Sequence, residues 1–184
     1  ARAGRGVFLG LVGEPGIGKS TLVDDFLAGI AMSGEPTFVG RGRSSERLAG
    51  TEAYLPWLEI LEALCVSGRE PVVEALRRMA PTWFLQVSSV LDDSSGERLQ
   101  AERAQSPERM KRELRAFFQA LAQERPVVLV LEDLHWADAS TVDLLAFLAD
   151  RLSGMALLLV ATYRPSEMLI AKHPFLRVKL DLQT

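Results

Sequence analysis

The sequence has very little cysteine: Cys65 is the single one, so no disulfide can form within the chain. No cluster of other ligand residues accompanies Cys65, and we expect it to be a small apolar residue on a helix. An apolar run long enough to cross a bilayer is also missing, since the longest, residues 155–162, has the length of a strand. The first six residues lead into an apolar strand without the pattern of a secretory signal. Together with the glycine-rich motif at residues 13–20, these absences favour a cytoplasmic location.

An excess of positive charge is absent too, because 21 basic and 24 acidic residues give a net charge of −3. Without a general basic field we expect no direct contact of this domain with nucleic acid or membrane. The 48% hydrophobic and 24% charged residues are the balance of an ordinary globular protein. Its 184 residues suit one domain, and we expect residues 1–184 to form one core with a mobile, apolar-poor loop over 92–106.

Short apolar runs alternate along the chain with helical patterns. Strands are predicted over residues 7–12, 36–41, 127–131, 155–162 and 177–182. Helices are predicted over residues 19–32, over 56–91 with breaks at Pro71 and Pro81, after Ser106, and over 140–152, where Ser140 and Asp143 have capping-box spacing. Continuous apolar strands indicate burial on both faces, as in a parallel sheet covered by helices. The order of elements predicts α/β architecture.

A glycine-rich segment follows the first predicted strand and begins the first predicted helix. Residues 13–20 have the Walker A spacing of glycine, four residues, glycine, lysine and serine. Glycines allow positive φ and close approach of the backbone to phosphate, and the N–H groups at a helix start attract anions. The segment therefore predicts a site for a nucleoside triphosphate with magnesium.

The residue types in this segment have separate chemical tasks. Lys19 supplies a positive charge for the β- and γ-phosphates, Ser20 supplies a hydroxyl to Mg²⁺, and Thr21 is expected to border the α-phosphate. The predicted nucleotide-binding residues are Gly13, Glu14, Pro15, Gly16, Ile17, Gly18, Lys19, Ser20 and Thr21.

Polar residues follow two further strands at their carboxyl ends, where parallel sheets place ligands. Glu132 and Asp133 follow residues 127–131 as a Walker B pair. We assign Glu132 to magnesium and Asp133 to the attacking water, and the pattern also allows the reverse, so both are candidate metal ligands and catalytic residues with Lys19. Arg164 could sense the γ-phosphate as a further catalytic residue or be a surface arginine in a turn.

Three segments together resemble one family. They are Gly-Glu-Pro-Gly-Ile-Gly-Lys-Ser, Leu-Val-Leu-Glu-Asp-Leu-His-Trp-Ala-Asp at 129–138, and Ala-Thr-Tyr-Arg at 161–164. They resemble the AAA-type ATPase domains of STAND proteins, the signal-transduction ATPases with numerous domains. Similar domains occur in large bacterial LuxR-type regulators and in proteins fused to nucleotide cyclases, kinases or tetratricopeptide repeats. The resemblance covers Val7 to about Leu182, and its most specific part is His-Trp-Ala-Asp.

The resemblance implies a three-layer P-loop fold of the ASCE type with a mostly parallel five-stranded sheet in the order 5-1-4-3-2. It places the sensor strand between the P-loop and Walker B strands and a helical insertion between strands 2 and 3. It implies ATP, ADP and Mg²⁺ as ligands, with Lys19, Ser20, Glu132, Asp133 and Arg164 as matching site residues. It also implies attached regulatory and output domains, a lid and winged-helix part outside this segment, and leaves a homo-oligomer open.

We therefore expect an ATP-binding, slowly hydrolysing switch module of a multidomain signalling or transcription-regulatory protein. The alternatives are a motor-type AAA ATPase in an oligomeric ring and a non-hydrolysing nucleotide-binding scaffold; a small-molecule kinase fits less well. Because the lid would complete the pocket, this segment is expected to bind nucleotide without efficient turnover. His135 is left open between a γ-phosphate neighbour and packing, Trp136 is expected to pack, and Arg41 and Arg43 are expected to be solvated.

Overall fold

The computed structural model describes residues 4–46, 53–91 and 106–182. The strands are β1 (Val7–Val12), β2 (Phe38–Arg43), β3 (Val127–Glu132) and β4 (Leu157–Tyr163). The helices are α1 (Lys19–Met32), α2 (Leu55–Met79), α3 (Pro81–Leu91), α4 (Pro107–Glu124), α5 (Ala139–Ala149), α6 (Pro165–Ile170) and α7 (Phe175–Leu182), with a 3₁₀ turn at Leu134–Trp136. The loop predicted over 92–106 lies outside the described residues except for Ser106.

The four strands form one parallel sheet in the order β1-β4-β3-β2. Strand β4 lies between β1 and β3, which confirms the predicted position of the sensor strand. Leu129 is in register with Leu159, and Leu11 with Thr162. The carboxyl ends of all four strands therefore meet at one edge, where an open α/β sheet has its ligand site.

Strands β3 and β4 are buried on both faces, as their apolar patterns predicted. The same prediction for β1 was wrong: β1 lies at the sheet edge, and Val7, Leu9 and Val12 are 42%, 45% and 48% exposed.

The side chains of β3 alternate between two hydrophobic clusters, because successive residues of a strand point to opposite faces. Leu129 and Leu131 belong to the larger cluster, which includes residues of α2 to α5. Val128 and Val130 belong to the smaller cluster with Val23 of α1. The sheet is thus the middle of three layers, with α1 on one side and the helical insertion on the other.

Glycines in β2 bring helix α2 close to the sheet. A Cβ atom added at Gly42 would lie 1.9 Å from the carbonyl oxygen of Pro56, and one at Gly40 would lie 2.8 Å from Cγ2 of Ile60. Because strand residues alternate, Arg41 and Arg43 lie on the face away from α2. The Gly-Arg-Gly-Arg sequence therefore gives β2 one face for packing and one for charge.

The expectation of a fifth strand over residues 177–182 was wrong, since these residues belong to helix α7. A six-residue alternation is a weak strand signal, and the apolar spacing from Phe175 through Val178 also suits a helix face. The buried ring of Phe175 anchors α7, with centroids 5.2 Å from Tyr163 and 6.4 Å from Phe8. In the described part of the chain the sheet has four strands, and β1 is an edge strand.

Helix boundaries show one further difference from the prediction. Helix α5 is capped by Asp138, whose carboxylate accepts from the N–H groups of Ser140 and Thr141 at 2.9 and 3.0 Å. The predicted capping box at Ser140 was wrong, because the cap lies two residues earlier. The break near Pro71 is confirmed by a non-helical residue, Arg69, with φ 53°.

Among the described residues, the helices are all too short or too polar to cross a membrane.

Candidate functional site

The loop between β1 and α1 depends on three glycines. Gly16 and Gly18 have φ angles of 77° and 96°, in the left-handed region that other residues rarely adopt. A Cβ atom at Gly13 would lie 2.7 Å from Cγ2 of Ile17, so the loop closes tightly there. The N–H of Gly13 also donates to the carbonyl of Tyr163 at 3.3 Å, which joins the loop to the end of β4.

Helix α1 begins in a way that leaves its first N–H groups open to an anion. Its N-cap is Gly18, which has no side chain to cap them, and no acidic residue stands in the first turn. The backbone N–H groups of Lys19, Ser20 and Thr21 therefore lack intrahelical partners. Together with the helix dipole they form a favourable position for a phosphate group.

Lys19 lies folded against the loop that it follows. Its Nζ donates to the carbonyl oxygens of Gly13 at 2.6 Å and Glu14 at 3.1 Å. An ammonium group has three donors, so one N–H remains for an anion placed at the start of α1. The contacts hold the lysine at the loop rather than in solvent.

Glu132 is the last residue of β3, and its side chain is only 4% exposed. One carboxylate oxygen accepts from Nε of Arg41 at 2.7 Å, and Nη1 of Arg41 donates to Asp24 of α1, also at 2.7 Å. The bond to Glu132 is the main cause that raises the pKa of Arg41 above its ordinary value. The other oxygen of Glu132, Oε1, is buried and makes no hydrogen bond to the described residues.

Asp133 has a φ of 54°, a left-handed conformation that is unusual for a residue other than glycine. Its N–H donates to the hydroxyl of Thr162 on β4 at 3.0 Å, and its carboxylate accepts from Nε of Arg43 at 3.0 Å. Both acids are thus bonded to arginines that we expected to be solvated. Alternation with two glycines already placed Arg41 and Arg43 on one face of β2, but their acidic partners depend on the pairing of β2 with β3.

Arg164 follows β4 and lies beside helix α6. Its Nη1 donates to Glu167 at 2.6 Å, and this bond is the main cause that raises the pKa of Arg164. Next to it on α6, the Ser166 hydroxyl donates to the carboxylate of Glu14 in the P-loop at 2.7 Å. Helix α6 therefore contacts both the glycine-rich loop and the candidate sensor arginine.

His135 is buried immediately after the two acids. Its Nε2 lies 3.5 Å from Oε2 of Glu167, and neither ring nitrogen makes a hydrogen bond to the described residues. Burial is the main cause that lowers the pKa of His135, so the ring is neutral near pH 7. The ring of Trp136 is half-buried with its centroid 5.1 Å from that of His135.

A family model described as an AAA ATPase domain matches residues 1–160. The chain belongs to the AAA ATPase domain family. The match includes the P-loop, both acids and most of β4, and it ends before Arg164. A search of curated proteins gave no match. The predicted AAA-type P-loop ATPase domain is thereby confirmed, and with it a family whose domains bind and hydrolyse nucleotides, usually with Mg²⁺.

The residues of this AAA ATPase domain suit a magnesium ion that is bound together with phosphates. Mg²⁺ is usually held by one or two carboxylates, phosphate oxygens and waters rather than by a cage of side chains. Glu132 has one carboxylate oxygen without a hydrogen bond, and Ser20 has an exposed side chain at the start of α1. The described parts of the chain contain no group of three or more potential ligands from His, Cys, Asp and Glu.

Proposed function

We propose that this AAA ATPase domain is an ATP-binding, slowly hydrolysing switch module of a multidomain signalling or transcription-regulatory protein. The observation that carries the proposal is that each charged group of the site is held by another part of the fold. The carboxylates of Glu132 and Asp133 are bonded to β2, Lys19 to loop carbonyls, and Arg164 to α6, and the backbone N–H of Asp133 is bonded to β4. Binding of ATP with magnesium would replace several of these bonds and so alter contacts between elements, as a switch requires.

In this proposal the phosphates accept from backbone N–H groups of residues 13–21 other than Pro15, which has none. Lys19 neutralises charge on the β- and γ-phosphates, while Ser20 and Glu132 hold magnesium, with Asp133 as the alternative carboxylate ligand. Magnesium, when bound, neutralises phosphate charge and orients the terminal phosphate. The free oxygen of Glu132 supports its role as the metal-side acid.

Asp133 is proposed to orient the water that attacks the γ-phosphorus. The bond from that phosphorus to the β,γ-bridging oxygen breaks, ADP departs, and the proton of the water passes by way of the Asp133 carboxylate to phosphate or solvent. Arg43 donates to Oδ2 of this carboxylate at 3.0 Å and competes with the water for it. This competition supports slow hydrolysis.

The surroundings proposed for the module follow from its chemistry. A switch module controls the activity of other domains, so its expected partners are regulatory and output domains attached in a longer protein. A homo-oligomer is compatible with this function. The buried thiol of Cys65, whose pKa burial raises to about 11, stays protonated and unreactive. A requirement for ATP and a reduced thiol both favour the cytoplasm.

A single-turnover assay with radiolabelled ATP and Mg²⁺ tests this function. The proposal expects one slow round of hydrolysis with ADP retained on the protein, and Asp133→Asn should retain ATP binding while losing hydrolysis. Rapid steady turnover that increases with protein concentration would instead indicate a ring-forming motor. Stable binding of ATP without any hydrolysis would indicate a scaffold.

A further inference from the structure

Helix α6 (Pro165–Ile170) contacts three segments of the candidate site. Ser166 donates to Glu14 of the P-loop at 2.7 Å. Glu167 accepts from Arg164 at 2.6 Å through Oε1, and its Oε2 lies 3.5 Å from Nε2 of His135. One carboxylate therefore stands between the candidate sensor arginine and the turn that follows Asp133.

Several buried polar atoms around this carboxylate lack hydrogen bonds to the described residues. They are Nε of Arg164, Oε2 of Glu167, and both ring nitrogens of His135. Most buried polar atoms in folded proteins are hydrogen-bonded, and leaving them unpaired is costly. These four atoms belong to three neighbouring side chains. A small rearrangement of the side chains would therefore form hydrogen bonds that are now missing.

We propose that Glu167 is a positioning residue that changes its hydrogen-bond partner. It releases Arg164 when Arg164 binds a terminal phosphate, and it then accepts a hydrogen bond from His135. This inference rests on the proposed function, because it assumes that Arg164 meets the γ-phosphate of ATP. A γ-phosphate carries more negative charge than one carboxylate, so it competes for the guanidinium of Arg164. ADP offers no γ-phosphate and leaves the pair with Glu167 intact.

The released carboxylate has one near partner. Glu167 is 28% exposed, and its Oε2 needs to approach His135 by only about 0.5 Å to accept a normal hydrogen bond from Nε2–H. A neutral imidazole can donate this bond, so no change of protonation is needed. The bond would pull His135, and with it the 3₁₀ turn Leu134–Trp136, toward helix α6. The segment after the Walker B acids would therefore move when a γ-phosphate is bound.

Calorimetric titration of the whole chain with ATPγS–Mg²⁺ and with ADP–Mg²⁺ tests the exchange. In Glu167→Gln the carboxylate no longer competes for Arg164, so ATPγS should bind roughly five- to tenfold more tightly while ADP affinity is unchanged. Glu74→Gln is the matched control, because Glu74 pairs with Arg77 at the same sequence spacing on α2, far along the chain from the loop. This control should change neither affinity.

A second measurement follows the turn through Trp136, which adjoins His135. ATPγS should change the tryptophan emission of the unsubstituted chain and ADP should not. In Glu167→Ala the ATPγS-specific change should disappear although ATPγS still binds, and Trp136→Phe should abolish it as a control on the origin of the signal.

The outcomes separate this inference from the proposed function. Weaker ATPγS binding by Glu167→Gln would overturn the exchange, because it would mean that Glu167 orients Arg164 on the phosphate. Equal changes for ATPγS and ADP would overturn it as well, in favour of a purely structural role. In either case nucleotide binding itself stands; loss of all nucleotide binding by the unsubstituted folded chain would refute the proposed function first.

Discussion

Arg41 on β2 donates from Nε to the buried carboxylate of Glu132 on β3, with 2.7 Å between the two atoms. The same guanidinium reaches Asp24 on α1, so one side chain connects three elements around the site. Because the carboxylate is only 4% exposed, the arginine provides the charge that makes its burial tolerable.

Replacing Arg41 with alanine leaves a buried carboxylate without its cationic partner. We expect Arg41→Ala to lower the free energy of unfolding by about 1–3 kcal/mol in urea titrations, since the arginine is partly exposed. Adding Glu132→Gln should recover part of the loss. The exposed pair of Arg77 and Glu74 serves as comparison, with a coupling energy below about 1 kcal/mol. Strictly additive effects of Arg41→Ala and Glu132→Gln would contradict the account of the pair.

The glycine at position 42 is required by the approach of α2 to β2. A Cβ atom there would lie 1.9 Å from the carbonyl oxygen of Pro56, so Gly42→Ala should destabilise the fold by about 2–3 kcal/mol in thermal unfolding. Gly29→Ala on α1 is the matched control: its Cβ would meet nothing within 4 Å, and it should stabilise the helix by about 0.5–1 kcal/mol. A neutral Gly42→Ala would show that α2 does not pack as described.

Features that depend on neighbouring residues could be predicted from the sequence, and features that depend on contacts between distant segments could not. Strand and helix positions followed from local apolar periodicity, and the Walker A loop from a fixed spacing, so 7–12 and 19–32 were predicted with the observed bounds. The bonds of Arg41 and Arg43 to the acids depend on the pairing of β2 with β3, which are far apart in sequence. The helix at 175–182 was missed because an alternation of six residues cannot outweigh the packing of Phe175.

Thr162 positions Asp133 by accepting its backbone N–H at 3.0 Å. Thr162→Val keeps the shape but leaves that N–H without a partner next to a left-handed residue. We expect about 1–3 kcal/mol less stability in chemical denaturation and slower single-turnover hydrolysis, because the carboxylate of Asp133 is no longer fixed. Thr162→Ser restores the acceptor and should recover most of both effects. A variant Thr162→Val with undiminished hydrolysis would contradict the positioning role.

His173 makes stability depend on pH. Its Nε2 donates to the carbonyl of Ala137 at 2.9 Å, and its Nδ1 accepts from the N–H of Phe175 at 3.3 Å, so a second proton on the ring would break the latter bond. Burial is the main cause that lowers the pKa of His173. The unfolded chain then binds the proton first, and stability should fall as pH drops below the ordinary histidine pKa of about 6.5.

Urea midpoints measured between about pH 7.5 and pH 5.5 check this dependence above the range where most carboxylates titrate. The unsubstituted chain should lose stability across the interval. His173→Gln should be less stable at neutral pH and show a shallower decline, because one of the two buried histidines is gone. A midpoint that rises toward acid pH would contradict the sign of the shift.

Residues 13–21 are proposed to bind ATP with magnesium, and calorimetric titration with ATP–Mg²⁺ measures this binding. The Lys19 amine hydrogen-bonds only to loop carbonyls among the described residues, so Lys19→Ala should leave the circular dichroism spectrum and melting temperature nearly unchanged. We expect saturable binding to the unsubstituted chain and roughly 10- to 150-fold weaker binding by Lys19→Ala. Equal affinity of the two proteins, or no binding by the folded, unsubstituted chain, would contradict it.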